Sequence, residues 1–151
     1  MESSRQNNLL YDEIRKIWVA ASPEEIVRQT LIQRMTQSLG FPRELIAVEK
    51  ALSELPHLSK DVPDRRADII VFAKEIHPQY SLFPLLLIEC KQEKEKKGAL
   101  DQLMGYNHFV KAAFIAVASA EEILFGYSEK DSYRFISFIP AYSELVKAIK
   151  K

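Results

Sequence analysis

From Val27 to Leu39 an apolar residue falls at every fourth position (Val27, Leu31, Met35, Leu39), the spacing of a helix that turns one face to a core. A start signal precedes it. Ser22 suits the N-cap, Pro23 the first helical turn, and Glu25, three residues after Ser22, completes a capping box. Gly40 and Pro42 end the helix. The pattern then changes to strand-like runs. Glu44–Leu52 reads as a strand by its Ile and Val, and Pro56 and Pro63 break the loop that follows. Ala67–Lys74 is a second strand and Leu85–Gln92 a third. The third is apolar on alternate sides up to Glu89, which predicts a central strand in a sheet covered on both faces. Gly98–Ala112 has helical spacing, Ala113–Ser119 is a strand, and "AEEILFG" is a short helix or turn. Tyr133–Pro140 is a further strand, and residues 141–151 form a closing helix. Residues 1–10 are expected to fray, and Tyr11–Ala20 fits a short strand or arm as well as a helix.

The order helix, three strands, helix, strand predicts an α/β fold with a mixed central sheet flanked by helices. The first three strands suit a meander, and the second helix carries the chain to the fourth. The expected organisation is an N-terminal arm (1–21), a main domain (22–140) and a C-terminal helix packed on it (141–151).

Composition narrows the picture. Apolar residues make up 47% and charged residues 28% of the 151, as in globular domains. Lys plus Arg balances Asp plus Glu at 21 each, so a nucleic-acid contact has to come from a local basic patch. Cys90 is the one cysteine, which excludes an internal disulfide and a multi-cysteine zinc site. No apolar stretch approaches the ~18 residues of a membrane span, and the polar N-terminus shows no signal-peptide core.

The chemistry gathers at "LLLIECKQEKEKKG" (85–98). Strand alternation puts Leu85, Leu87, Glu89 and Lys91 on one face and Leu86, Ile88 and Cys90 on the other. If this strand pairs antiparallel with the preceding one, Asp68 lies beside Glu89. Two adjacent carboxylates repel unless a cation lies between them. A hard ion such as Mg2+ takes carboxylate, water and phosphate oxygens. A neighbouring lysine can hold water and offset charge building on a phosphate. That set suits metal-dependent phosphodiester hydrolysis. Glu-x-Lys is also a common triplet, present again at Glu95–Lys97 in a solvated charge run. The instance at Glu89 stands apart because it ends a buried strand. His57, His77 and His108 lack ligand spacing.

On these residues the chain resembles the PD-(D/E)XK nuclease superfamily through "RRADIIVF" and "PLLLIECK". More narrowly it is similar to the N-terminal nuclease domain of type I restriction enzyme R (HsdR-type) subunits. The likeness spans Ser22 to Ser119 and includes "ALDQLMGY", where Gln102 and Tyr106 match a Gln-x-x-x-Tyr motif. The resemblance implies a restriction-endonuclease-like core, with Asp68 and Glu89 as ligands of Mg2+ or Mn2+ and Lys91 as the catalytic lysine. The Cys90 carbonyl would complete the metal shell, and Glu25 would be the acid that many members carry on the first helix near the metal. The capping box accounts for Glu25 without any metal. Gln102 and Tyr106 would steady the lysine or touch DNA, or simply form a half-buried polar face. Lys94, Lys96, Lys97, Lys111, Arg65 and Arg66 are candidate phosphate contacts or a solvated surface. For Arg28 and Gln29 nothing local separates function from surface, and Asp64 is a rival to Asp68.

The resemblance further implies a cytoplasmic protein acting on DNA, with a partner subunit supplying motor or specificity functions. The chain carries no Walker motif, helicase or target-recognition segment, so a complete restriction subunit is not expected. The leading expectation is a Mg2+-dependent nuclease module. The alternative is a non-cutting nuclease-fold protein that binds nucleic acid or a partner, and a structural α/β domain is a third reading.

Overall fold

The computed structural model describes residues 8–58, 61–93 and 98–150. Two strands, β1 (Leu9–Asp12) and β2 (Ile17–Ala20), form an antiparallel hairpin at the start. The ambiguous Tyr11–Ala20 stretch is therefore extended at both ends, around a tight turn. Asp12 explains why. Its buried carboxylate accepts from the Ile14 N–H (2.8 Å), the Arg15 N–H (3.1 Å) and the Arg15 guanidinium, which closes the turn.

Helix α1 (Pro23–Gln37) starts as its sequence predicts, with the Glu25 N–H donating to Ser22 Oγ at 3.2 Å. Only half of the capping box forms. The Ser22 N–H donates to the Ala20 carbonyl, and the Glu25 side chain turns to other partners. At the far end Gly40 adopts φ 73°, a left-handed conformation suited to glycine, and the Phe41 N–H closes back on the Met35 carbonyl.

A six-stranded sheet follows, formed by β3 (Ile46–Ala51), β4 (Arg66–Lys74), β5 (Leu82–Cys90), β6 (Phe114–Ala118), β7 (Ile123–Glu129) and β8 (Ser132–Ile136), in that spatial order. β3, β4 and β5 are the expected antiparallel meander. Helix α2 (Ala99–Val110) then carries the chain to β6, which pairs parallel with β5. β7 and β8 add antiparallel, so the sheet is mixed. The expected helix or turn at "AEEILFG" is corrected: β7 is a strand. Ile123, Phe125 and Tyr127 alternate onto one face and pack into the core, a period of two that is hidden when the segment is cut at Gly126.

Helix α3 (Tyr142–Ile149) closes the chain, and α1, α2 and α3 are the three α-helices among the described residues. α1 and α3 cover one face of the sheet, burying Val27, Leu31, Met35 and Leu145 against Ile69, Val71, Leu86 and Ile88. α2 covers the other, with Ala99, Leu103 and Val110 on Ile70, Phe72 and Leu87. β5 is internal and Leu85 to Ile88 are fully buried, each side chain contributing about 1.5–3 kcal/mol by removal from water.

One expected alternation fails. Leu85 packs on the α1 side with Leu86, not with Leu87. The β4–β5 register steps from Val71 opposite Leu86 to Phe72 opposite Pro84, so Leu85 is the extra residue of a β-bulge and is released from the pleat. Among the described residues no helix is long and apolar enough to cross a membrane.

Candidate active site

The site lies where β4 and β5 part. Their ladder pairs Ile69 with Ile88, so Asp68 and Glu89 come next on the two strands. The Asp68 side chain takes over at that point, its Oδ2 accepting the Cys90 N–H at 2.8 Å. β5 meanwhile stays bound to β6, with Cys90 opposite Ala118 and the Lys91 N–H donating to the Ala118 carbonyl at 2.8 Å. On the other side of β4, Glu49 adopts φ 55°, an uncommon conformation for a residue with a Cβ. It interrupts the β3–β4 register between the Val48–Ile69 and Lys50–Ala67 pairs. The result is a notch in the hydrogen-bonded ladder at the ends of the internal strands β4 and β5, with acidic side chains around it.

Glu89 is held from the α2 face. One carboxylate oxygen, Oε2, accepts the Tyr106 hydroxyl, and the other lies 3.6 Å from Lys91 Nζ. The Arg65 guanidinium caps the Tyr106 ring, 4.6 Å from its centroid. Burial and the charge of Glu89 push the Tyr106 phenol well above its ordinary pKa, so it stays a hydrogen-bond donor.

Asp68 is approached from the α1 face. Arg28 Nη1 sits 2.7 Å from Glu49 Oε1 and 3.4 Å from Asp68 Oδ1. The rest of the guanidinium is forked onto Glu25, Nη2 to Oε1 at 2.6 Å and Nε to Oε2 at 3.0 Å. Arg15 of the hairpin turn and Gln29 bind the same Glu25 carboxylate, at 3.1 Å and 2.9 Å. Burial pushes Glu25 up, but hydrogen bonds from Arg28 and Gln29 and the charges of Arg28 and Arg15 outweigh it, leaving its pKa at about 2. Asp68 goes the other way. Burial and the charge of Glu89 outweigh the Cys90 N–H and Arg28, and raise it to about 7.

That rise is the physical test of whether a cation belongs here. Burial and the charge of Glu89 disfavour ionised Asp68, and a hard divalent ion would relieve that. The donors on offer are carboxylate oxygens, as Mg2+ and Mn2+ prefer. Among the described residues no three His, Cys, Asp or Glu side chains form a ready-made cage. An ion bound here would rest on two carboxylates and complete its shell with water and phosphate, the habit of Mg2+ in phosphate chemistry. The residues present fit such an ion.

The other sequence candidates are scattered more widely. Glu25, expected near a metal, is engaged with Arg15, Arg28 and Gln29. Gln102 is exposed on α2 one turn before Tyr106. The Cys90 thiol is buried and pushed up chiefly by burial, so the residue's role at the notch falls to its backbone. Asp64 is exposed in the turn before β4, and Lys111 caps the end of α2. Arg66 binds the Glu49 carbonyl at 2.8 Å. Lys94, Lys96 and Lys97 lie outside the described residues. His57 binds the Val110 carbonyl at 2.8 Å and packs on Phe72 and Tyr80, while His77 stacks on Phe83, so neither histidine belongs to the acidic notch.

Sequence reasoning left Arg28 open between function and surface, and missed Glu49 and Arg15. For Arg28 a signal existed. It follows Glu25 by three and precedes Leu31 by three, so it sits on the buried stripe, where a lone charge needs partners. Glu49 and Arg15 act through backbone conformation and a turn that periodicity does not show.

Fold and site together define a class: an α/β domain that brings a carboxylate pair and a lysine to the ends of two adjacent central strands. The chain belongs to the Type I restriction enzyme R protein N terminus (HSDR_N) family, which matches residues 23–140. This agrees with the family resemblance read from the sequence, and the family suggests a nuclease module of restriction systems. No curated protein matches the chain.

Proposed function

We propose that this domain is a Mg2+- or Mn2+-dependent nuclease module that hydrolyses DNA phosphodiesters at the Asp68–Glu89–Lys91 notch, and that its helix, three strands, helix, strand order is a restriction-endonuclease-like core. The observation that carries the reading is the meeting of Asp68 and Glu89 at the strand ends, with Asp68 raised to about 7 by burial and by its neighbour. In this reading Asp68, Glu89 and the Cys90 carbonyl hold the ion, which when bound polarises a phosphoryl oxygen and acidifies its water. The Lys91 ammonium, 3.6 Å from Glu89, orients the attacking water and offsets charge on the phosphate. Tyr106 fixes the Glu89 rotamer, and Gln102, one turn earlier on α2, faces solvent where a DNA strand passes. Glu25 serves by orienting Arg28. The family points to DNA as substrate and to partner subunits for translocation and specificity.

One observation favours the non-cutting alternative: Arg28 already gives Asp68 a counter-charge. The two readings separate on Lys91→Ala. For a nuclease, this variant keeps Mn2+ binding by calorimetry and loses about 10²-fold or more of plasmid nicking. If wild-type protein neither binds millimolar Mn2+ nor nicks DNA, the notch is an ion-paired strand end and the domain is a binding module.

A further inference from the structure

Asp68 offers two oxygens, and they are not equivalent. Oδ2 is committed to the Cys90 N–H at 2.8 Å. Oδ1 is the less committed oxygen and so the readier one for an ion, and it is the atom that Arg28 faces at 3.4 Å. The same guanidinium nitrogen reaches Glu49 at 2.7 Å, and the other two donor positions are fixed on Glu25 at 2.6 Å and 3.0 Å. Arg28 is thus anchored at three points and leans on Asp68 with its longest contact, the one that yields first. The Arg28 side chain is only 9% exposed, so its charge acts on Asp68 with little screening.

We propose that Arg28 is the resident counter-cation of the notch. It occupies Asp68 Oδ1 until a divalent ion displaces it, and so sets the affinity of the site for that ion. This rests on the nuclease reading above and adds a positioning residue to it. Two cations cannot share Oδ1 closely without mutual repulsion, so binding the ion requires Arg28 to withdraw toward Glu25 and Glu49. Ion affinity is held below what the carboxylate pair alone would give, and the empty site is spared an uncompensated pair of charges.

The test is Mn2+ calorimetry and thermal unfolding, with and without Mn2+, on the full chain as wild type, Arg28→Met, Arg28→Lys, and each of these with Asp68→Asn. Arg28→Met keeps most of the aliphatic stem and removes the charge, and should bind Mn2+ about ten-fold more tightly or better. Arg28→Lys keeps the charge without the fork, cannot span all three carboxylates, and should shift affinity the same way by less. It also serves if Arg28→Met does not fold. Asp68→Asn should abolish the gain in both. If wild type is silent while an Arg28 variant binds through Asp68, the proposal holds in its stronger form. If wild type binds Mn2+ and the folded Arg28 variants bind equally or more weakly, Arg28 merely supports the fold, the proposal falls and the nuclease reading stands. If no protein in the series binds Mn2+, both fall together.

Discussion

Asp68 is a carboxyl under electrostatic tension, and that tension has a pH signature. Its pKa in the folded protein, about 7, lies above the ordinary value of 3.8. A carboxyl raised in this way contributes stability that is fully present below the ordinary value and is lost as pH rises through about 7. Without metal, the wild type is therefore expected to weaken between roughly pH 4 and pH 7 through this group. Asp68→Asn should flatten that slope and gain on the order of a few kcal/mol over wild type at pH 8, read from urea midpoints. Added Mn2+ should stabilise the wild type at pH 8 and leave the variant unmoved. A second residue-scale expectation concerns Tyr106→Phe. It strips the buried Glu89 carboxylate of its hydroxyl donor and should cost about 1–3 kcal/mol in the same measurement. Asp68, Glu89 and Lys91 were legible from sequence because strand alternation and one antiparallel pairing are enough to place them. Arg28 was left open: an arginine on a helix is usually solvated, and its spacing from Glu25 and Leu31 hints at burial without revealing the contacts with Glu49 and Asp68.

At the scale of elements, α1 and the β3–β4–β5 meander were readable because periodicity and breakers agreed. The misreadings have separate local causes. Leu85 changed faces because a bulge breaks the period of two, and β7 was hidden by the glycine at its centre. Gly126 is there for space. A Cβ at this position would meet the Phe135 ring at 2.8 Å and Ile115 Cγ1 at 3.2 Å. Gly126→Ala is accordingly expected to destabilise the β7–β8 edge by about 1–3 kcal/mol, because an aromatic ring on the paired strand has to move. Since this edge is two strands away from β5, Mn2+ affinity should stay at the wild-type value in the folded variant. A parallel loss of ion binding would show that the sheet transmits strain farther than its pairing suggests.

Across the whole molecule, the mixed topology followed from element order, whereas the opening hairpin did not. Four-residue strands are too short for periodicity to identify, and the turn is closed by Asp12 through hydrogen bonds that no hydrophobic pattern reveals. The hairpin stands outside residues 23–140, the span shared with the family. It nevertheless sends Arg15 to Glu25, which in turn clamps Arg28 beside Asp68. A version trimmed to begin at Ser22 should retain the six-stranded sheet but leave Glu25 with one fewer donor. Calorimetry should then find Mn2+ binding tighter than in the full chain, by a smaller factor than for Arg28→Met. Engineers who splice such domains by sequence similarity would cut along this line and, on the proposed reading, unknowingly reset the ion affinity of the notch. Evolution would have the same opening: if the notch holds an ion, a change in the short hairpin could retune when the site fills without altering any residue proposed to touch that ion.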